Sequence, residues 1–255
     1  MNILIINGSP KKKGGASALF SKILGLMLFP HKVTYKAAGL SRNYEGIFAH
    51  LQNTDVVILS APLYIDSIPS HFIHFLKQME EYCVNTKCGF LLYAMSNSGF
   101  IGGHQNQTHL EQYKCWCERA NVTWRGGLGI GGAVMLHAIF YLMFLWGIMR
   151  FAIGIIINIV SGNPAINNGL LTGLSQNMLI WLFFNIGLFF SAFIFAQAIK
   201  KKKLIKNRYT RAIIPSFLFL IAGDIFMALS ALFHGKLIFS LYKKGQWTKQ
   251  QEVSL

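Results

Sequence analysis

The chain has 255 residues, room for one large or two modest domains. Its residues are 53% hydrophobic and only 13% charged, where an ordinary soluble domain carries about 25% charged residues, so a chain that faces water throughout is excluded. The formal net charge of +15 asks for an anionic environment: nucleic acid, anionic lipid or a phosphorylated ligand.

The bias is uneven. Glu45, Asp55, Asp66, Glu80, Glu81, Glu111 and Glu118 lie in the first half, and Glu252 lies near the C-terminus. Asp224 is the only acidic residue between Arg119 and Gln251. The first half is therefore a mixed-charge globular chain, and the second is apolar and basic.

In chain order, Asn2–Ile6 reads as a first strand. Met1 to Ile6 has neither the basic start nor the apolar length of a signal peptide. Further strands are expected at Lys32–Ala37, Val56–Ala61, Gly89–Met95 and Val122–Gly129. They are rich in Val, Ile and Leu, as strands covered on both faces must be. Helices are expected between them at Ser17–Leu28, Tyr44–Gln52, Pro69–Tyr82 and His104–Ala120. This alternation predicts an α/β fold with a doubly wound, five-stranded parallel sheet over residues 1–133. The cysteines Cys83, Cys88, Cys115 and Cys117 form no C-x-x-C pair and read as reduced, cytosolic thiols. Cys115 and Cys117 point in different directions on a helix, which argues against shared metal ligation. No His, Cys and carboxylate set has metal spacing, so no metal is expected. His104 and His109 read as surface residues of their helix.

From residue 134 to 255 the alternation gives way to a hydrophobic helical region with candidate membrane spans at 134–160, 177–198 and 212–233. Asn177–Ala198 has no charge and is long enough to cross ~30 Å of hydrocarbon. Val134–Val160 carries Arg150. It reads either as a span with that arginine held against protein, with Asp224 a candidate partner, or as a sheet-covering helix followed by an interfacial piece. Ser161–Gln176 is uncharged, while Lys200–Arg211 carries seven Lys or Arg residues. The positive-inside rule then puts the second loop, and the N-terminal domain, in the cytoplasm of a cell membrane. A third span would put the basic tail outside, against the rule, so Ala212–Phe233 reads as a span or as a re-entrant or in-plane segment. The basic residues beyond the first loop cluster beside apolar segments, where they meet anionic lipid. The bilayer is thus an expected partner and nucleic acid is not.

Three polar loops follow strand ends. "NGSPKKKGGAS" follows the first strand and runs into a helix N-terminus, which attracts phosphate. Ser9 and Ser17 add hydroxyls, and Lys11, Lys12 and Lys13 add charge. A bare lysine run is equally a solvated turn, so position decides. "APLYID" presents Pro62, Leu63 and Tyr64 after the third strand; the tyrosine can stack a flat ring or pack into the core. "SNSGF", Ser96 to Phe100, follows the fourth strand and suits the polar edge of a heterocycle or an ordinary capped turn. In an open α/β sheet ligands sit at such carboxyl ends, and the strand order 2-1-3-4-5 places a site between the first and third strands. Gly127, Gly129 and Gly132 spell G-x-G-x-x-G, but the run follows the last strand and no acidic residue lies about twenty positions on, so it reads as backbone that lets the chain turn.

"INGSPKKKGGASALF", "PLYIDSIPSHFIHFL" and "HQNQTHLEQYKCWCERANVTWRGGLGIGGA" resemble the flavodoxin-like NAD(P)H-dependent oxidoreductases, the bacterial FMN-reductase branch. The resemblance covers about residues 1 to 133. It implies FMN as cofactor and NAD(P)H as electron donor, with a quinone, a flavin or another small molecule as electron acceptor. Ser9, Lys11, Ser17 and Ala18 would hold the FMN phosphate. Pro62, Leu63 and Tyr64 would flank the isoalloxazine, and Ser96, Asn97, Ser98, Gly99 and Phe100 would meet its polar edge. A homodimer sharing the flavin site is common in such families. Gly15 and Ala16 stand where related loops commonly carry a second serine, which removes one hydroxyl. No catalytic acid or base is singled out, because a flavin carries the chemistry itself. Two other readings stay open: an FMN-binding electron carrier or redox-sensing module without NAD(P)H turnover, and a cofactor-less domain serving membrane transport or assembly.

Overall fold

The computed structural model describes residues 1–11, 15–39, 43–64, 66–233 and 235. Lys12, Lys13 and Gly14 of the first loop, and the basic tail 236–255, lie outside the described residues. The strands are β1 (Asn2–Asn7), β2 (Lys32–Ala37), β3 (Val56–Pro62), β4 (Leu91–Asn97), β5 (Thr123–Ile130) and β6 (Arg208–Thr210). They form one parallel sheet of order β2-β1-β3-β4-β5-β6. The fold is flavodoxin-like, with the expected order of its first five strands. The sheet is six-stranded rather than five-stranded. The added strand comes from the cationic segment after the second apolar helix. Three residues, Arg208, Tyr209 and Thr210, carry no strand signal by themselves and become a strand only by pairing with Leu128, Gly129 and Ile130.

The helices are α1 (Ala16–Met27), α2 (Glu45–Leu51), α3 (Ser70–Thr86), α4 (Gln107–Arg119), α5 (Ala133–Val160), α6 (Asn168–Lys200) and α7 (Ser216–Phe233). A 3-10 turn, Gly103–Asn106, precedes α4. Alternation along the strands divides the core into two faces. Leu4 and Ile6, Val57 and Leu59, and Leu92 and Ala94 pack with Ile47 and Leu51 of α2, Phe72, Phe75 and Met79 of α3, and Leu110, Tyr113 and Trp116 of α4. The alternate residues, such as Ile3, Ile5, Ile58 and Tyr93, are equally buried on the face covered by α1 and α6.

The cover by α6 joins the two halves of the chain. Its C-terminal part buries Asn185, Leu188, Ser191, Ala192, Phe195, Ala196 and Ile199, a stripe at helical spacing. Phe195 meets Tyr93 edge to face at 5.7 Å between ring centroids. The Tyr93 hydroxyl donates to the Lys203 carbonyl at 2.7 Å. Lys202 Nζ donates to Asp55 Oδ1 at 2.9 Å, at the entry to β3. Burial raises the Tyr93 pKa to about 12, so the hydroxyl keeps its proton.

The N-terminal part of α6 pairs instead with α5. Trp181 Nε1 donates to the Phe140 carbonyl at 3.1 Å. Asn167 Oδ1 caps α6 by accepting from Leu170 N–H at 2.9 Å, and its amide donates to Asn158 Oδ1 at 3.2 Å. These contacts make an antiparallel hairpin. α5 is one continuous helix of 28 residues, not a covering helix with an interfacial piece. Arg150 lies on α5 opposite Gly173 of α6 and lines a cavity of about 300 Å³ with Gly147, Gly154 and Asn177. α5, α6 and α7 are each long and apolar enough to cross a membrane.

Two compact units divide the chain, Met1–Ile213 and Ile214–Leu255. The first holds the sheet, α5 and α6. The second contains α7.

Replacing Phe195 by alanine should cost about 3–5 kcal/mol, the usual loss for a fully buried aromatic. Phe193→Ala, on the exposed side of the same helix (52% accessible), should cost far less. Thermal or denaturant unfolding of the detergent-solubilised chain reads the difference; equal losses would show that α6 does not seal the sheet.

Candidate functional site

The carboxyl ends of β1, β3 and β4 lie side by side, and hydrogen bonds tie the loops that leave them. Gly8 N–H donates to the Ser60 carbonyl at 2.8 Å, and Leu63 N–H to the Asn97 carbonyl at 2.8 Å. Ser17 Oγ, in the first turn of α1, donates to Asn97 Oδ1 at 2.7 Å across the crevice floor. Ser60 Oγ donates to the Ser17 carbonyl at 3.4 Å. Chain segments eighty residues apart thus close onto one place, as the order of the strands demands.

The expected residues sort into a floor and a rim. Ser9, Ser17, Leu63, Ser96, Asn97 and Ser98 are buried, as is Pro62, while Ala18 is half-buried. Lys11, Tyr64, Gly99 and Phe100 are exposed. On the β1–α1 loop, Ser9 N–H donates to Asn7 Oδ1 at 3.0 Å, and Ser9 Oγ accepts from Lys11 N–H at 3.4 Å. α1 starts at Gly15 without a side-chain cap, so its first turn offers N–H donors and the positive dipole end. The Ala18 N–H returns to the Gly15 carbonyl at 3.0 Å. Ser17 braces the helix start against β4 through its hydroxyl. Tyr64 is held by a two-way backbone bridge with Ser67, both bonds at 3.1 Å.

Beneath the β4 loop is a polar network that sequence reading missed. His109 is fully buried, not a surface residue, because α4 turns it toward the sheet. Its Nδ1 lies 2.7 Å from Ser96 Oγ and its Nε2 lies 2.8 Å from Tyr113 Oη. Ser96 Oγ donates to Asn106 Oδ1 at 2.7 Å. The Asn106 amide in turn faces Ser98 Oγ at 3.2 Å, the Gly103 carbonyl at 3.0 Å and the Ile130 carbonyl at 3.3 Å. One proton order satisfies the chain: Tyr113 to His109, His109 Nδ1–H to Ser96, Ser96 to Asn106, Asn106 to the loop. This neutral tautomer agrees with burial, which lowers the His109 pKa to about 3. A second missed residue is His71, on the first turn of α3. Its Nε2 lies 2.9 Å from the Gly8 carbonyl and steadies the first loop. A lone histidine in an amphipathic helix gives no sign of such partners. The i, i+4 spacing of His109 and Tyr113 was the one available hint. His104 is exposed as expected, and stacks on Tyr209 of β6.

The glycine run at the end of β5 lets the chain turn into α5. Gly132 has φ 62° and starts α5. A Cβ on Gly131 would stand 2.5 Å from the Ile101 carbonyl oxygen and 2.6 Å from Gly103 N, so β5 must pass the β4 loop as bare backbone. The loop then binds α5 directly, with Ala133 N–H donating to the Ser98 carbonyl at 2.8 Å.

No family model matches the chain, and no curated protein matches it. Among solved structures, an NADPH-quinone reductase from P. pentosaceus is 16% identical, with TM-score 0.42 over 52% of this chain and 86% of that one. An NAD(P)H:quinone oxidoreductase from Methanothermobacter marburgensis is 12% identical, with TM-score 0.42 over 52% and 84%. The Trp repressor binding protein from Bacillus subtilis is 11% identical, with TM-score 0.41 over 49% and 85%. The fold assignment rests on the strand order itself.

Since His109 is neutral when folded and titrates near 6.5 when unfolded, unfolding takes up a proton at any pH between about 3 and 6.5. Its contribution is intact above pH 6.5 and falls by up to about 1.4 kcal/mol per pH unit below it. His109→Gln should flatten that slope relative to the parent chain, measured as denaturant stability between pH 7 and pH 4.5. Parallel slopes would place the histidine outside the buried network.

Proposed function

We propose that this chain is a membrane-attached flavoprotein oxidoreductase that binds FMN at the ends of β1, β3 and β4, takes reducing equivalents from NAD(P)H and passes them to a small acceptor. The observation that carries this reading is the convergence of a donor-rich loop, an uncapped helix N-terminus and two further polar loops on the switch point of the sheet.

The residues present fit the group. Ser9 Oγ, Lys11 and the first-turn N–H groups of Ala16 and Ser17, next to Ala18, form a donor set for a phosphate. A Cβ at Gly15 would stand 3.5 Å from Ser9 Oγ and 3.7 Å from Lys11 Cβ. Glycine there leaves open the space beside both, in the place of the hydroxyl that related loops carry. Pro62 and Leu63 give a rigid apolar wall, and Tyr64 an exposed ring beside it. A Cβ at Gly99 would meet nothing within 4 Å, so the backbone of the Ser98–Phe100 loop is approachable by a flat heterocycle. When bound, FMN supplies hydride acceptance and one- or two-electron transfer. The protein's part is to hold it, orient it and shield one face.

The α5–α6 hairpin, with uncharged Ser161–Gln176 at one end and the lysine-rich segment from Lys200 at the other, supports a cell-membrane location with the sheet on the cytoplasmic side. A homodimer sharing the flavin site is part of the same proposal.

The full chain, purified in detergent, should show an oxidised-flavin spectrum or take up added FMN, and NADH or NADPH should bleach it anaerobically. Ser9→Ala and Lys11→Ala should each weaken FMN binding about three- to tenfold, the scale of one hydrogen bond. A preparation without flavin absorbance that ignores added FMN would sink the reading.

A further inference from the structure

Every strand is parallel, so a single edge of the sheet collects all the carboxyl ends and the candidate crevice with them. The membrane hairpin leaves from that same edge. α5 begins three residues after β5 ends, and its first turn is bonded to the crevice loop through Ser98. On α6 the edge is marked by Gly187, where a Cβ would stand 3.2 Å from Thr210 Oγ1. Thr210 is the last residue of β6 and pairs with Ile130, the last of β5. Beyond Gly187, α6 covers the sheet as far as the Lys202–Asp55 ion pair at its opposite edge. Before Gly187, α6 projects past the crevice alongside α5.

The dimensions agree with a bilayer. At 1.5 Å per residue, residues 168–186 of α6 rise about 28 Å, against a hydrocarbon core of ~30 Å. Between Arg125 and Lys200 the one Lys, Arg, Asp or Glu is Arg150. Apolar exposure starts at the edge itself, with Val134 60% and Leu142 65% accessible. α6 crosses the edge as one unbroken helix, so no hinge lets the sheet turn its crevice away.

Resting on the FMN reading above, we infer that the crevice rim, with Lys11, Tyr64, Gly99 and Phe100, opens into the headgroup layer, and that the electron acceptor enters from the bilayer. Its chemistry is that of a lipid-dissolved quinone: a flat, two-electron-reducible head that reaches the rim and an apolar tail that stays among the acyl chains. The overall reaction balances as NAD(P)H plus a proton plus quinone giving NAD(P)⁺ plus hydroquinone. The Tyr64 and Phe100 rings are 46% and 48% accessible and give the rim apolar surface that a flat quinone head can meet.

Two measurements test this on the full chain in nanodiscs of phosphatidylcholine and phosphatidylglycerol. Gly99 and Gly89 flank β4 at opposite edges of the sheet, and a Cβ at either meets nothing within 4 Å. Gly99→Cys and Gly89→Cys are labelled with one fluorophore, with Cys88 and Cys115 replaced by serine. Lipid with a nitroxide on the headgroup should quench the label at 99 several-fold more than at 89, whether or not flavin is bound. Equal quenching overturns the inference. The second measurement compares NADH-driven reduction of water-soluble benzoquinone with that of a long-isoprenoid quinone in the same discs. The tailed quinone should be reduced at least as fast, saturating with its mole fraction in the lipid. Reduction of benzoquinone alone overturns the inference and leaves the flavoenzyme reading intact. Failure with both, in protein without flavin, overturns both.

Discussion

The contact between α6 and the sheet is the constraint on which the other features depend. Phe195 and Ile199 are fully buried against the face that also holds Tyr93, and the Tyr93 hydroxyl bonds the backbone where α6 ends. A parallel sheet must be covered on both faces. Here the helix that completes the cover on the β4–β5 side is the same helix that pairs with α5 in the hairpin. The apolar hairpin is not appended to a finished domain; the second of its helices completes the sheet's cover.

That economy has geometric consequences. Because α6 runs against the strand direction while it covers them, its free half has to leave at the carboxyl edge. α5 starts at that edge because β5 ends there. The three polar loops of the crevice occupy that edge for an independent reason, the reversal of strand order between β1 and β3. Site and hairpin are neighbours because both follow from parallel strands. The backbone bond from Ala133 to Ser98 makes the neighbourhood a direct contact.

The crevice itself is built on commitments that leave few groups free. Ser17, Ser96, Asn97 and Asn106 spend their side chains on one another and on loop carbonyls. A buried polar group without a partner is expensive, and a satisfied network specifies one arrangement. His109, kept neutral by burial, is the keystone of this network. Lys11, Tyr64 and Gly99 lie exposed at the rim.

Much of this was legible before any coordinates. "VVILSAP" is buried at every position and reads as a doubly covered strand. The alternation of such runs with amphipathic segments predicts a parallel sheet with polar loops at its carboxyl edge, because period and turn chemistry are local properties, while the order of the strands follows from the flavodoxin-like arrangement. Three things were not legible. Arg208–Thr210 is a strand only through its partner β5. His109 is buried only because of the rotation at which α4 packs. "LFFNIGLFFSAFIFAQA" is uncharged and apolar at all but Asn185, Ser191 and Gln197, and apolarity alone does not say whether lipid or a β-sheet lies against it. Burial in hydrocarbon and burial in a core draw on the same side chains. Local chemistry thus determined which segments are strands, helices and donor loops. Only the packing of distant segments decided which face each buried, and that one helix both covers the sheet and pairs with α5 in the apolar hairpin.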